Sequence, residues 1–296
     1  MIVIFCRDLL DSKQVDAAYE AEAKAAHSLS IDYHLIDFEA IVTHSAKRAV
    51  QHVPTQTTPQ QAIYRGWMLK PPQYTALYDS LKERDIELIN TPAMYHHAHY
   101  LPENYPIIKD HTPRSICIPW MGQSSITDIY QALQVFGNSP IIVKDYVKSQ
   151  KHYWHDACFI PNASDHTDVE RVVRRFLELQ GDDLNEGLVF REFVEFEPLV
   201  EHSVSGMPLT KEFRVFVRDG QAVYSTRYWS EGDYRDEAPE IDRLLEVAQR
   251  VNSRFFTMDV ARRLDGEWMI VELGDGQVAG LPDHADREGF YRAMVR

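Results

Sequence analysis

Cysteine is scarce here, and its placement excludes two chemistries. Cys6, Cys117 and Cys158 are odd in number and show no metal-ligand spacing, so they read as reduced, buried thiols rather than a disulfide framework or a thiolate metal site. Long apolar runs are missing as well. Ile2 to Cys6 is followed at once by Arg7 and Asp8, too short for a signal peptide, and no stretch approaches the roughly 18 to 20 apolar residues of a membrane span. The expected location is cytoplasmic, with no membrane contact. Basic residues are in deficit, 31 Lys and Arg against 45 Asp and Glu for a formal charge of -14, which argues against duplex nucleic acid or an anionic membrane as partner. No Gly-x-Gly-x-x-Gly follows the first strand and no Walker loop occurs, so dinucleotide and P-loop sites are excluded. Internal repeats and low-complexity segments are absent too. What is present, 44% hydrophobic and 26% charged residues over 296 positions, is the composition of a soluble globular chain with two or three lobes.

The first third alternates strand and helix. Ile2 to Cys6 is followed by an Ala-rich helix from about Ser12 to His27 and a strand from Ile31 to Ile36. Pro71-Pro72 opens a helix with Tyr74, Leu77, Tyr78 and Leu81 on one face, and Ile86 to Ile89 is the next strand. This order predicts a small parallel sheet covered on both faces. From about His111 the pattern changes to longer hairpin strands interleaved with amphipathic helices, placing a domain boundary near Thr112-Pro113. Those helices run from Ser125 to Phe136, stopping at Gly137; from a capping box at Thr167 to Glu170; and from about Pro239 to Val251.

Two hairpins carry the charge. Asp265-Gly266 between apolar runs is a strong two-residue turn signal. With Leu264 opposite Glu267, the register sets Asp259 directly across from Glu272, their Cβ atoms about 5 Å apart. Opposed carboxylates repel, and a hard cation such as Mg²⁺ is the simplest mediator. Asp275, just beyond the strand, is a candidate third ligand. The second hairpin turns at Asp219-Gly220. Its register places Glu212 opposite Arg227 and Arg214 opposite Ser225, with Phe213, Val215, Val217, Ala222, Tyr224 and Thr226 on the apolar face. That charged face reads either as solvated surface with a cross-strand ion pair or as part of a site. A strand from Pro140 ends in Lys144, with Lys148 and Lys151 following; its terminal lysine either snorkels to solvent or reaches for an anion. Gly187 to Glu197 is a further apolar strand that turns acidic. The cluster His96, His97 and His99 lacks acidic or cysteine partners at ligand spacing and reads as an ordinary surface.

The order of these parts resembles the ATP-grasp superfamily: the strand lysine Lys144, the acidic-apolar hinge Glu192-Phe193-Val194, the hairpin opening Glu212-Phe213-Arg214, then Asp259 and Glu272. The phrases around Lys144 to Ser149, Phe190 to Phe193, Glu212 to Val217 and Tyr64-Arg65-Gly66-Trp67 are more narrowly similar to a divergent branch named for an arginine and two lysines. That branch includes a eukaryotic cell-division-cycle protein assisting assembly of translation initiation factor two. The resemblance implies an α/β (α+β) chain: a Rossmann-like pre-ATP-grasp lobe over residues 1–112, then an ATP-grasp fold of two α+β subdomains over 113–296. ATP would lie between the subdomain sheets. Lys144 would contact the α- and β-phosphates and Lys148 a further phosphate. The Phe193 carbonyl and Val194 amide would read adenine, Glu192 would fix the strand, Glu195 or Glu197 would take the ribose, and Glu212 would belong to the nucleotide site.

Asp259, Glu272 and Asp275 would hold Mg²⁺, while Arg214 and Arg227 would stabilise the transferring phosphoryl group. The implied activity is an ATP- and Mg²⁺-dependent carboxylate-amine ligase, making an amide through an acyl phosphate, with a small molecule, peptide or protein as substrate. The alternative is a non-catalytic ATP-binding assembly factor for a protein partner. The sequence departs from the family pattern where a glycine-rich loop usually covers the phosphates: Asp145 to Trp154 contains no glycine. Arg65 is either the branch arginine or a brace within the first lobe.

Overall fold

Short apolar strands buried on both faces favour a parallel arrangement, and the first lobe has it. The structure, a computed structural model, describes residues 1–120, 125–201, 207–235 and 238–295. β1 (Ile2–Cys6), α1 (Glu20–Ser28), β2 (Tyr33–Ile36), α2 (Phe38–Val42), α3 (Ala46–Ala49), β3 (Gln60–Arg65), α4 (Pro71–Lys82) and β4 (Ile86–Leu88) build a parallel sheet in the order β2-β1-β3-β4. α5 (Pro92–His99) and α6 (Leu101–Ile108) lead out of it. The first helix is shorter than its alanine content predicts: Asp16 accepts from the Ala18 amide to cap a single 3₁₀ turn, and regular helix starts only at Glu20.

Two antiparallel sheets follow. β5 (Ser115–Pro119), α7 (Ile126–Leu133), β6 (Ile141–Asp145), α8 (Trp154–Ala157), β7 (Phe159–Ile160), α9 (His166–Gln180) and β8 (Gly187–Glu192) form the first unit, its strands ordered β5-β8-β6-β7. The cap of α9 is Asp165, whose carboxylate accepts from the Thr167 and Asp168 amides, two residues ahead of the capping box expected at Thr167. β9 (Pro198–Glu201) and β10 (Pro208–Thr210) pair on their own. β11 (Glu212–Arg218), β12 (Gln221–Arg227), α10 (Asp242–Ala248), β13 (Phe255–Arg262) and β14 (Trp268–Asp275) form the second unit, ordered β12-β11-β13-β14, and α11 (Arg287–Val295) ends the chain. Helix α11 returns to the first lobe, where Phe290, Tyr291 and Met294 share a core with Val3, Phe5 and Ile63.

Strand alternation divides each sheet between a helix-covered core and the space between the sheets. Val143, Leu188 and Phe190 pack with α7 and α9, while Val215, Met258 and Val260 share a core with Leu244 and Val247 of α10. The intervening positions Ile142 and Arg191 open onto the same inter-sheet space.

The β11-β12 turn is the two-residue type expected, with Asp219 and Gly220 both at positive φ, 49° and 77°. A bulge at Val223 then shifts the register. Arg214 pairs with Thr226 and Phe213 with Arg227, so the expected pairs Glu212–Arg227 and Arg214–Ser225 do not form. Tyr224 and Thr226 move to the Arg214 face for the same reason, and Arg227 moves to the Phe213 face.

The β13-β14 hairpin departs from the expected register twice, and the departures cancel. Its loop has three residues, closed by the Arg263 amide on the Glu267 carbonyl at 2.9 Å, and only Gly266 takes positive φ, 91°. This is the type I turn with a glycine bulge, one residue longer than an Asp-Gly turn. A second bulge, at Val271, restores the offset, and Asp259 lies directly opposite Glu272.

Candidate functional site

Between the two antiparallel sheets lies a cavity of about 500 Å³. The hinge residues Glu192, Phe193, Val194 and Glu195 form one wall, and Arg191, Lys151, Glu212, Tyr228 and Glu272 line the interior. β8 ends at Glu192, and the hinge continues from it. The Phe193 amide donates to the Pro140 carbonyl at 3.0 Å and the Glu192 amide to the Arg114 carbonyl at 2.8 Å. Among the described residues the Phe193 carbonyl and the Val194 N–H have no partner. Such groups are costly to leave unpaired when a ligand covers them, which makes this edge a ready donor-acceptor pair. Phe193 rests on Phe159 and Trp154, with ring centroids 5.1 and 6.0 Å away.

Beyond the hinge, the acids and bases of the site meet. Lys144, buried at the end of β6, makes an ion pair with Glu272. The turn after Lys144 is fixed by Asp145, which is fully buried and accepts from the amides of Val147, Lys148 and Asn185 and from the side chains of Gln180 and Asn185. Arg214, opposite Asp259 in the sheet, forks onto it, Nε to Oδ1 at 2.8 Å and Nη2 to Oδ2 at 2.7 Å. Both opposed carboxylates therefore have a protein cation. Burial by itself would raise the Glu272 pKa, but the charges of Lys144 and Arg191 outweigh it and hold the group below its ordinary value. Glu212 differs: burial and the Asp259 charge push it up to about 8, against the pull of Lys151 and Arg214.

Of the lysines after β6, Lys151 lines the cavity. Lys148 is exposed and does not line the cavity. The Lys151 ammonium lies 5.2 Å from the Tyr228 ring centroid and 4.8 Å from that of Trp229, with the Tyr228 hydroxyl at 3.3 Å. Tyr228 also lies beside Arg214, whose guanidinium carbon is 4.7 Å from the ring centroid. The glycine-free loop thus places a side-chain cation over the cavity through cation–π contacts with the other sheet.

Other expected site residues lie elsewhere. Arg227, moved by the Val223 bulge, stacks on Tyr234 at 5.4 Å on the face opposite Arg214. Glu197 turns from the cavity to Lys211 Nζ at 2.8 Å and approaches Arg262 at 3.7 Å, leaving Glu195 at the cavity wall. Asp275 is three residues beyond Glu272 on one strand and faces the opposite way. Its carboxylate is fully buried against the first lobe, accepting from Asn90 Nδ2 at 2.6 Å, the Gln277 amide at 2.9 Å and Gln277 Nε2 at 3.3 Å. Strand alternation therefore removes it from the carboxylate pair, and the position beside Glu272 on the site face is Gly274.

Arg65 is also a brace: fully buried, it forks onto Glu22 at 2.8 Å and donates to the carbonyls of Gly276, Gln277 and Ala279. His99 accepts from the Asp275 amide at 3.3 Å, and burial lowers its pKa to about 4, as suits a neutral structural imidazole.

The residues present fit a divalent cation that brings oxygens of its own. Among the described residues no group of three or more ligating side chains could hold a metal unaided. Asp259 and Glu272 supply two hard carboxylate ligands on one face, and phosphate oxygens and water would complete the shell Mg²⁺ prefers.

Arg191 stands in the phrase Phe190 to Phe193, but the resemblance implies no site role for it. Only the packing of the two sheets brings it to the cavity floor.

Residues 133–294, more than half of the chain, match the family model described as ATP-grasp domain, R-2K clade family 3. No curated protein matches the sequence. Solved structures resemble it throughout. The ATP-grasp ligase PsnB complexed with minimal precursor, Mg and ADP is 13% identical, with 99% of this chain and 97% of that one covered at a TM-score of 0.58. D-cycloserine synthetase DcsG is 15% identical, with 100% and 99% covered at 0.59. The macrocyclase MdnC bound with precursor peptide MdnA, from Microcystis aeruginosa MRC, is 11% identical, with 100% and 99% covered at 0.55. At these identities the likeness establishes the fold.

Proposed function

The chain belongs to the ATP-grasp domain family, R-2K clade family 3, and on that premise we propose that it is an ATP- and Mg²⁺-dependent ligase joining a carboxylate to an amine. The observation that carries this reading is a single cavity with two ends. The unpartnered Phe193 carbonyl and Val194 N–H stand at one, and Glu272 with Lys151 lines the other, Asp259 lying directly across the sheet from Glu272. The first end suits the amino group and ring nitrogen of adenine; the second suits a polyphosphate.

Asp259 and Glu272 would hold Mg²⁺, which when bound neutralises charge on the transferring phosphoryl group. Lys144 and Lys151 would bind phosphate oxygens, and Arg214 would orient the γ-phosphate. A substrate carboxylate oxygen then attacks the γ-phosphorus, ADP leaves, and an acyl phosphate forms. The amine attacks the acyl carbon, phosphate departs, and the amine loses a proton. PsnB and MdnC, complexed with precursor peptides, support a peptide as one substrate, and DcsG keeps small molecules in view.

The test is trapping. Purified protein with Mg-ATP, a pool of peptides and carboxylic acids, and hydroxylamine should release ADP and phosphate and accumulate a hydroxamate. Tight ATP binding without turnover across a broad acceptor screen would instead favour an ATP-binding assembly factor.

A further inference from the structure

Arg191 is 4% exposed, and two of its three nitrogens are committed. Nε donates to Ser115 Oγ on β5 at 3.0 Å, and Nη1 donates to the Val271 carbonyl on β14. Nη2 is buried with no hydrogen-bond partner among the described residues, and the side chain lines the cavity. A buried, charged donor left unpaired costs more than an ordinary missing hydrogen bond. Its desolvation shows in a guanidinium pKa lowered by burial, which nearby Glu272 only partly offsets.

The neighbouring cations at this end of the sheets have partners. Lys144 holds Glu272, Arg214 holds Asp259, and Lys151 holds Tyr228. Among the described residues, the Nη2 of Arg191 is a buried cationic donor on the cavity lining with no oxygen opposite it. Its place along the strand indicates which ligand oxygen fits there. Arg191 precedes the hinge residue Phe193 by two positions, roughly 7 Å of extended chain, and lines the same cavity, so a nucleotide seated on the hinge would bring the phosphate next to its ribose within reach of the side chain.

We infer that Arg191 binds the first phosphate of the nucleotide through Nη2 while Nη1 holds the Val271 bulge that aligns Glu272 with Asp259. This rests on the ATP-site reading above. One guanidinium would then join β5, β14 and the ligand, so that the group holding the carboxylate register also senses the nucleotide. Arginine suits this because its rigid planar fork holds three nitrogens in fixed, divergent directions, whereas lysine offers only one.

Titration of the full chain in EDTA with adenosine, AMP, ADP and a non-hydrolysable ATP analogue tests the inference without metal or turnover. The unmutated protein should bind AMP at least tenfold tighter than adenosine. In Arg191→Met, affinity for all three phosphorylated ligands should fall about 10- to 100-fold, the scale of a charge-assisted hydrogen bond, with adenosine changed less than twofold. Arg191→Lys should recover part of the AMP affinity. Equal losses for adenosine and AMP would leave Arg191 only its bracing role and overturn the inference. So would an unmutated protein with no preference for AMP, a result that needs no variant to fold. Failure of the unmutated protein to bind any adenine ligand would instead overturn the ATP-site reading itself.

Discussion

Arg214 and Asp259 stand directly opposite each other on β11 and β13 and close a two-pronged ion pair, with nitrogen–oxygen distances of 2.8 and 2.7 Å. Glu272 flanks the same aspartate from β14. Three charged side chains therefore lie in one row across three strands, and removing the arginine leaves the buried Asp259 facing the half-buried Glu272. Arg214→Ala should cost about 3 to 5 kcal/mol, the scale for breaking a buried pair from one side. Adding Asp259→Ala should restore part of that loss. Urea unfolding of the four members of the cycle measures the coupling, and a value below about 1 kcal/mol would reduce the pair to a surface-type bridge.

Lys144 occupies Glu272, which keeps that carboxylate from serving a metal alone. Divalent cations should therefore bind the unmutated protein weakly without nucleotide and much more tightly with ADP, whose phosphates can draw Lys144 away. Lys144→Met should strengthen nucleotide-free Mn²⁺ binding about tenfold or more while weakening ADP. Electron paramagnetic resonance of free Mn²⁺ reads both effects. Unchanged Mn²⁺ affinity in the variant would show that Lys144 does not guard the site.

Asp275 was the third expected metal ligand, and its position predicts a different behaviour. Asp275→Asn should leave Mg²⁺-dependent nucleotide binding within about twofold, whereas Asp259→Asn and Glu272→Gln should weaken it strongly.

Its effect should appear in stability. Burial pushes the Asp275 carboxyl up from 3.8 to about 7, against the three N–H donors that favour its charge. Between about pH 4 and 7 the unfolded chain has lost this proton and the folded protein keeps it, so the site's contribution falls as pH rises through that window. The Asn variant lacks this loss. Relative to the unmutated protein it should gain thermal stability between pH 5 and 7.5, as followed by circular dichroism melts. His99, neutral in the fold down to about 4, contributes the opposite slope as pH falls below about 6.5, and the variant should expose it.

The sequence was sufficient wherever the deciding interaction was local. Alternating apolar residues and their turns set most strand positions. Pro71-Pro72 and Gly137 marked where one helix begins and another stops, and the order of lysine, hinge, hairpin and carboxylates pointed to the ATP-grasp fold. Asp259 opposite Glu272 was also legible, although through two one-residue errors that cancelled: a longer turn at Gly266 and a bulge at Val271.

Tertiary structure decided everything that depends on which face a side chain takes after a bulge, or on a partner far away in sequence. The extra residue at Val223 reversed Arg227 while leaving Arg214 in the site, because strand faces alternate and one inserted residue flips all that follows. Asp275 turned from the metal site because β14 continues as a strand past Glu272 and meets Asn90 and Gln277 from beyond its end. Lys151 reaches the cavity lining because Tyr228 and Trp229, some 77 residues on, supply the aromatic surface that holds it. Arg191 acquired its uncommitted nitrogen only when two sheets closed over it, since no local pattern records which donors of a buried arginine will remain unpaired.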